Sequence, residues 1–267
     1  MSSPERPARL RREPPRFRRV TVRGVERLTP RLVRVTLAGP ELDGFRVESP
    51  AASVRLLLPS PGTPELVVPT WNGNEFLLPD GRRPAIRTFT PRRSDPDAGE
   101  LDLDIVVHGA GLASGWAATA EVGDEAAVSG PGRGYAVDGE AAAFLLAGDE
   151  TAIPAISQLL EVLFRETPVR VLIEVTQPEA RLPLPAHPRA TVDWCDLPAG
   201  APPGEGLVAA VRGADVTGAT RVWAAGEAAA VQRIRRHLFD ERGLPRSATS
   251  VRGYWKYGRS ADAGDDP

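Results

Sequence analysis

Ala142-Ala143-Phe144-Leu145-Leu146-Ala147-Gly148-Asp149-Glu150-Thr151-Ala152-Ile153-Pro154 reads as a strand, a turn and the start of a helix. The first six residues are continuously apolar, the pattern of a strand covered on both faces in a parallel sheet. Gly148 and Asp149 end the run, and Ile153, Ile156, Leu159 or Leu160 and Leu163 then recur at helical spacing. Val169–Val175 is a second strand, Ala190–Trp194 a further one, and Arg221–Gly226 another. Glu227 opens a helix with Val231, Ile234 and Leu238 as its core stripe and Arg233, Arg235 and Arg236 on a solvated face. Strands alternating with helices predict a doubly wound α/β domain, whose ligand crevice lies at the carboxyl ends of the strands.

Upstream of Gly139 the period is two. Phe17–Val22 is followed by Arg31–Leu37, where Val33, Val35 and Leu37 alternate with Arg34 and Thr36. Val54–Leu58 stops at Pro59, and the Pro- and Gly-rich stretch 59–84 reads as loop and short hairpins. Leu101, Leu103, Ile105 and Val107 give the inward face of another strand. Short strands separated by turn signals predict a small antiparallel β-barrel. One helix interrupts it: Gly109-Ala110-Gly111-Leu112 leads from the strand ending at His108 into a helix expected to start near Ser114. Unpaired N–H groups at such a start suit a pyrophosphate, although the turn alone is equally a plain connector.

Ile86-Arg87-Thr88-Phe89-Thr90-Pro91-Arg92-Arg93 lies inside this barrel. In a strand Arg87, Phe89 and Pro91 share one face, and Thr88, Thr90 and Arg92 the other unless a bulge re-aims them. A cation, a ring and hydroxyls at that spacing fit a flavin nucleotide. Taken alone, the stretch is a basic edge strand with an incidental Phe.

The expected organisation is a basic tail (1–15), a barrel domain (16–138), an α/β domain (139–259) and an acidic tail (260–267). The net charge of −2 offers no basic field for nucleic acid. A single cysteine, Cys195, excludes an internal disulfide, a four-cysteine zinc site and a cysteine-ligated iron–sulfur cluster, and reads as a small buried hydrophobe. His108, His187 and His237 show no ligand spacing. Trp194 and Trp223 read as core. No apolar run predicts a membrane span or a signal peptide, which makes the cytoplasm the expected location; the expected state is a monomer.

Several ordered segments resemble the siderophore-interacting proteins, FAD-dependent ferric-siderophore reductases with a ferredoxin-reductase-like fold. They are Arg87–Thr90 with Arg92 or Arg93, Asp104 through His108-Gly109, Ala113-Ser114 with Trp116-Ala117, Gly130-Pro131, Leu146–Ala152 with Pro154-Ala155-Ile156, Trp223–Glu227 and Gly253-Tyr254-Trp255-Lys256. The resemblance implies that Arg87, Thr88, Phe89, Thr90, His108, Gly109, Ala113, Ser114, Asp149, Thr151, Ala152 and Trp255 bind FAD. Arg87, His108 and the Ala113–Ser114 helix start would take the phosphates. Phe89, Thr90 and Trp255 would border the flavin ring. Gly148, Asp149, Gly226 and Glu227 would face NAD(P)H, with ferredoxin as the other donor considered. Arg92, Arg93, Lys256 and Arg259 would meet an anionic ferric siderophore. Two departures from the family pattern are Phe89, where tyrosine is usual, and Gly111-Leu112 in place of a glycine–proline pair. The implied chemistry needs no nucleophile or acid–base catalyst. The alternatives are a diaphorase or tailoring reductase with an organic acceptor, and a non-catalytic flavin- or siderophore-binding protein.

Overall fold

The computed structural model describes residues 14–258 except 61 and 64, so both expected tails, apart from the last two residues of the first, lie outside it, as does Arg259. The chain begins with β1 (Arg18–Thr29) and β2 (Leu32–Ala38), a hairpin turned at Pro30-Arg31. β3 (Val54–Leu57) follows, then the excursion 59–84 with its own small hairpin, β4 (Thr70–Trp71) and β5 (Phe76–Leu77). β6 (Ile86–Phe89), β7 (Pro91–Asp95), β8 (Glu100–Val106), helix α1 (Leu112–Thr119) and β9 (Glu125–Ser129) complete this half.

The antiparallel order is β6-β3-β9-β1-β2-β8-β7. Its two outer strands are neighbours in sequence, separated only by Thr90. The sheet must therefore roll until its edges meet, and residues 86–95 act as one bent strand that pairs with β3 before Thr90 and with β8 after it. A strand that changes partner at a bend is a common way to turn a sheet corner. Val20, Val33, Val35, Leu37, Leu56, Leu101, Leu103 and Val128 fill the interior, and Ala117 of α1 joins them. The opposite face of β3 and β9, carrying Leu57 and Ala127, is covered by Leu66 and Phe76 of the excursion.

Residues 130–142 cross to the second half. It contains β10 (Ala143–Asp149), α2 (Ile153–Val162), β11 (Val169–Val175), β12 (Ala190–Asp196), α3 (Glu205–Gly213), β13 (Thr220–Glu227), α4 (Ala228–Arg236) and β14 (Thr249–Trp255). The five strands are all parallel, in the order β12-β11-β10-β13-β14. The apolar run of β10 is covered on both sides. Phe144 and Leu146 pack into the core beneath α2, and Leu145 and Ala147 into the core beneath α3 and α4.

The expected α/β half gains α3 and β14, which the sequence pattern had not marked as elements. α1 starts at Leu112, two residues before Ser114. Cys195 is half-exposed on edge strand β12 rather than buried, because that edge lacks a covering neighbour. The arginines of α4 are not simply solvated. Arg233 makes a two-pronged pair with Glu205 of α3 (2.6 and 3.1 Å), and Arg235 donates to the Val251 carbonyl (2.6 Å).

The halves are joined by polar contacts at defined atoms. Gln158 of α2 donates to the Pro91 carbonyl (2.7 Å) and accepts from the Ala51 N–H (2.8 Å). Arg31 pairs with Glu150 (2.8 Å), whose other oxygen accepts the Thr176 N–H and hydroxyl. Ala51, although upstream of β3, belongs to the α/β core.

Candidate functional site

The bent strand carries the first wall. Register pairs Arg87 with Leu56 and Phe89 with Val54, so both share the inward row of β6. Both are half-buried, and Phe89 packs on the barrel core. Thr88, on the other face, is exposed. Arg87 donates to the Ile86 carbonyl (2.8 Å). Thr90, at the bend, is buried, and its hydroxyl lies 3.3 Å from the Tyr254 hydroxyl of β14. Tyr254 meets Trp223 edge to face, and burial pushes its phenol up from the ordinary value. Thr90 is thus where the barrel seam touches the last strand of the α/β half.

The β8–α1 turn is the second element. His108, Gly109, Ala110 and Gly111 are exposed, and both glycines have φ of 78°, a left-handed conformation that side chains disfavour. The Ser114 hydroxyl is buried and accepts the His108 N–H (2.9 Å), which folds the turn back on itself. The helix has no side-chain cap and no acidic residue in its first turn. Its leading N–H groups are therefore left for water or a ligand.

The α/β strand ends are built the opposite way. Asp149 closes β10 with four donors on its carboxylate: the Thr151 N–H (2.9 Å) and hydroxyl on Oδ1, and the Glu227 N–H (2.9 Å) and Trp255 indole (2.7 Å) on Oδ2. Burial pushes the Asp149 carboxyl up, and these donors oppose that shift. Glu174, at the end of β11, accepts the Gly204 N–H (2.6 Å) and Leu207 N–H (3.0 Å) at the start of α3. Glu227 caps α4 through the Ala230 N–H (2.8 Å) and also accepts the Tyr257 N–H (3.2 Å). Each is a buried carboxylate held by backbone donors, the same donors a nucleotide phosphate would want.

This sorts the sequence candidates. Arg87, Phe89 and Thr90 share one stretch of wall; Thr90 faces Tyr254, and Trp255 is tied to Asp149. His108 and Gly109 stand in the open turn, with half-exposed Ala113 at the helix start, whereas the Ser114 side chain is engaged inside it. The Ala152 side chain is wholly buried against Gly148 and belongs to the core, because a β-carbon at 148 would come within 2.3 Å of it. Gly226 admits the Asp149 carboxylate, which a β-carbon there would meet at 2.6 Å. Arg92 makes a two-pronged pair with Glu161 of α2 (3.2 and 2.6 Å). With Arg34, Arg93 and Glu48 it lines a cleft of about 430 Å³ between barrel and α2. The three guanidinium groups there face Glu161, Asp104 and Asp95. Lys256 is exposed just beyond Trp255. Among the described residues no cluster of His, Cys, Asp and Glu could hold a metal ion.

Residues 16–135 match the model of the siderophore-interacting FAD-binding domain, and residues 141–258 that of the siderophore-interacting protein. The chain belongs to the siderophore-interacting protein family. An uncharacterized protein of Mycobacterium tuberculosis is 36% identical over 250 residues, 88% of each chain. The ferric vibriobactin reductase ViuB of Vibrio cholerae is 29% identical over 238 residues, 87% of this chain and 86% of that one. The crystal structure of a siderophore utilization protein from T. fusca superposes with a TM-score of 0.82 at 38% identity, covering 93% of this chain and 95% of that one. The fold is ferredoxin-reductase-like, with an antiparallel barrel half before a parallel α/β half.

The FAD expected of a siderophore-interacting protein suits the donors present. The β8–α1 turn offers exposed glycines and uncapped N–H groups, and Arg87 adds a cation; the α/β strand ends offer anionic atoms already satisfied. Sequence reasoning missed Glu174, Gln158 and the role of Tyr254. Glu174 was detectable as the one acid inside the apolar run Val169–Val175. Gln158 carried no signal, since an amide on a helix face is ordinary.

Proposed function

We propose that this siderophore-interacting protein is an FAD-dependent reductase of ferric siderophores. The observation that carries the reading is the uncapped, exposed β8–α1 turn in a chain of this family, when the other strand-to-helix turns are closed by carboxylates. Arg87 and the α1 N–H groups would hold the pyrophosphate, and His108 and Gly109 would let it approach the backbone. Phe89 and Thr90 would border the ring from the barrel, and Trp255 from the α/β half. FAD, when bound, supplies the exchange between a two-electron donor and a one-electron acceptor.

The substrate is the ferric ion inside its siderophore. One electron converts Fe(III) to Fe(II), which hard oxygen ligands hold less well, so the iron leaves and the chelator survives. No side chain needs to act as nucleophile or acid. Arg93, Lys256 and Arg259 would attract an anionic chelate, whereas Arg92 serves the contact with α2. The donor is NAD(P)H or ferredoxin. Gly148, Asp149, Gly226 and Glu227 border the strand ends, and they would give a nicotinamide a shaped wall rather than free acceptors.

Stopped-flow mixing of the FAD-loaded, photoreduced protein with ferric siderophores and with quinones tests the reading. Ferric chelates are expected to reoxidise the protein faster than they reoxidise free reduced FAD. Reoxidation by quinones alone would favour a diaphorase and overturn the assignment.

A further inference from the structure

Asp149 is 8% exposed, and its carboxylate has no acceptor position open. A carboxyl group suits this set of partners, and an amide does not. An asparagine would have to turn its NH2 toward the Thr151 N–H on one side, or toward the Glu227 and Trp255 N–H groups on the other. Either choice sets donor against donor. The geometry therefore demands a carboxyl group rather than an amide.

Three of the four donors come from the backbone or from the adjacent turn. The fourth, Trp255 Nε1, belongs to a half-buried side chain of β14, 106 residues away in sequence. β14 pairs with β13 up to Gly226 and Gly253, and the ladder resumes at Glu227 and Trp255 after a bulge that leaves out Tyr254. The bulge lets neighbouring residues serve two halves. Tyr254 reaches Thr90 at the barrel seam, and the Trp255 indole edge turns to Asp149. Gly226 completes the arrangement, since any β-carbon there would collide with the carboxylate. Trp255 is half-exposed, and the next residue out, Lys256, is exposed.

We propose that Asp149 is a positioning residue, not a nucleotide ligand: it fixes the indole of Trp255, next in sequence to the Tyr254 that meets Thr90, and so sets how much of the cofactor ring is covered. The consequence for the ring rests on the flavin reading above; the bond between Asp149 and Trp255 does not.

The experiment has two arms. In the FAD-free protein, nitrogen-resolved NMR separates the indole signals of the five tryptophans, and Trp255→Phe identifies one of them. Its N–H is expected to exchange with water about tenfold more slowly in the parent than in Asp149→Asn, the protection typical of a bond to a charged acceptor. A parent signal that exchanges as fast as a free indole overturns the proposal without any variant having to fold. In the FAD-loaded protein, Asp149→Asn and Trp255→Phe are expected to change the visible circular dichroism of the flavin in the same direction, and the double variant no more than either alone. Additive changes would show Asp149 acting on the flavin independently of Trp255 and overturn the positioning role. Should the parent fail to bind FAD, the functional reading falls while the NMR arm still decides the bond.

Discussion

The β8–α1 turn of the barrel and the β10–α2 turn of the α/β half have the same ingredients: a strand end, a glycine and a helix start. They differ in what meets the backbone N–H groups. At β8–α1 the glycines stand in the open and no acid approaches. At β10–α2 Asp149 bends back onto the Thr151 N–H and the next strand's Glu227 N–H. The first turn leaves its leading N–H groups open to an anion, and the second already has a carboxyl group on its N–H groups. A glycine-bearing strand-to-helix turn is thus no guide to nucleotide binding until the nearest carboxylate is located.

The comparison breaks most sharply at Arg87. Arg87→Glu should lower FAD affinity about a hundredfold, from the loss of a charge-assisted contact and its replacement by repulsion. Equilibrium dialysis of FAD measures it, and retention equal to the parent would remove Arg87 and its strand from the cofactor site.

Next in size is Glu174→Gln on the closed side. Losing a buried charged acceptor for the Gly204 and Leu207 N–H groups should cost about 2 kcal/mol in urea unfolding at neutral pH, with FAD affinity unchanged. The pH dependence has a definite sign. Burial is the larger influence and raises the Glu174 carboxyl above its ordinary 4.5. The folded state therefore binds this proton more readily than the unfolded chain. The proton-linked part of its contribution is fully present below 4.5 and is lost as pH rises through the folded value, whereas the bonds from the Gly204 and Leu207 N–H groups persist at neutral pH. The parent should gain on the variant as pH falls from neutral toward 4.5, and a flat difference would contradict it.

A smaller change would make the open turn resemble the closed one. Ala113→Asp places a carboxylate at the half-exposed start of α1. It should weaken FAD about threefold while slightly stabilising the apoprotein, because the same helix charge attracts the new side chain. Loss of both affinity and stability would mean that packing, not charge, dominates there. The smallest effect is expected from Arg92→Gln. Its pair with Glu161 lies at a half-exposed boundary, so the cost should be about 0.5 kcal/mol, with reoxidation by ferric chelates unaltered. A slowed reoxidation would return Arg92 to the substrate rim.

The fold was legible where burial is periodic. Alternation in Val33–Leu37 and Leu101–Ile105, and the unbroken run 142–147, follow directly from one-sided and two-sided covering. α3 escaped because its buried stripe, Leu207, Val208 and Val211, is short and set among alanine and glycine. At the site, Arg87 and Phe89 were placed on one face by strand geometry alone. The bond from Trp255 to Asp149 spans 106 residues and depends on a bulge and on Gly226, which no local pattern encodes. The engagement of Arg92 was equally hidden, since its partner sits on a helix of the other half.

The bend at Thr90 also bears on how the protein avoids sticking to copies of itself. An open seven-strand sheet would offer two full edges of unpaired N–H and C=O groups as templates for another chain. Here the two edges are halves of one bent strand, four and five residues long, and the second opens with a proline that cannot donate. The other half keeps two edge strands, β14 and, on the opposite side, β12. There Asp193 and Asp196, held by Arg170 and Arg181, stud the strand with charge, and they are the residues whose neutralisation should be felt first as aggregation.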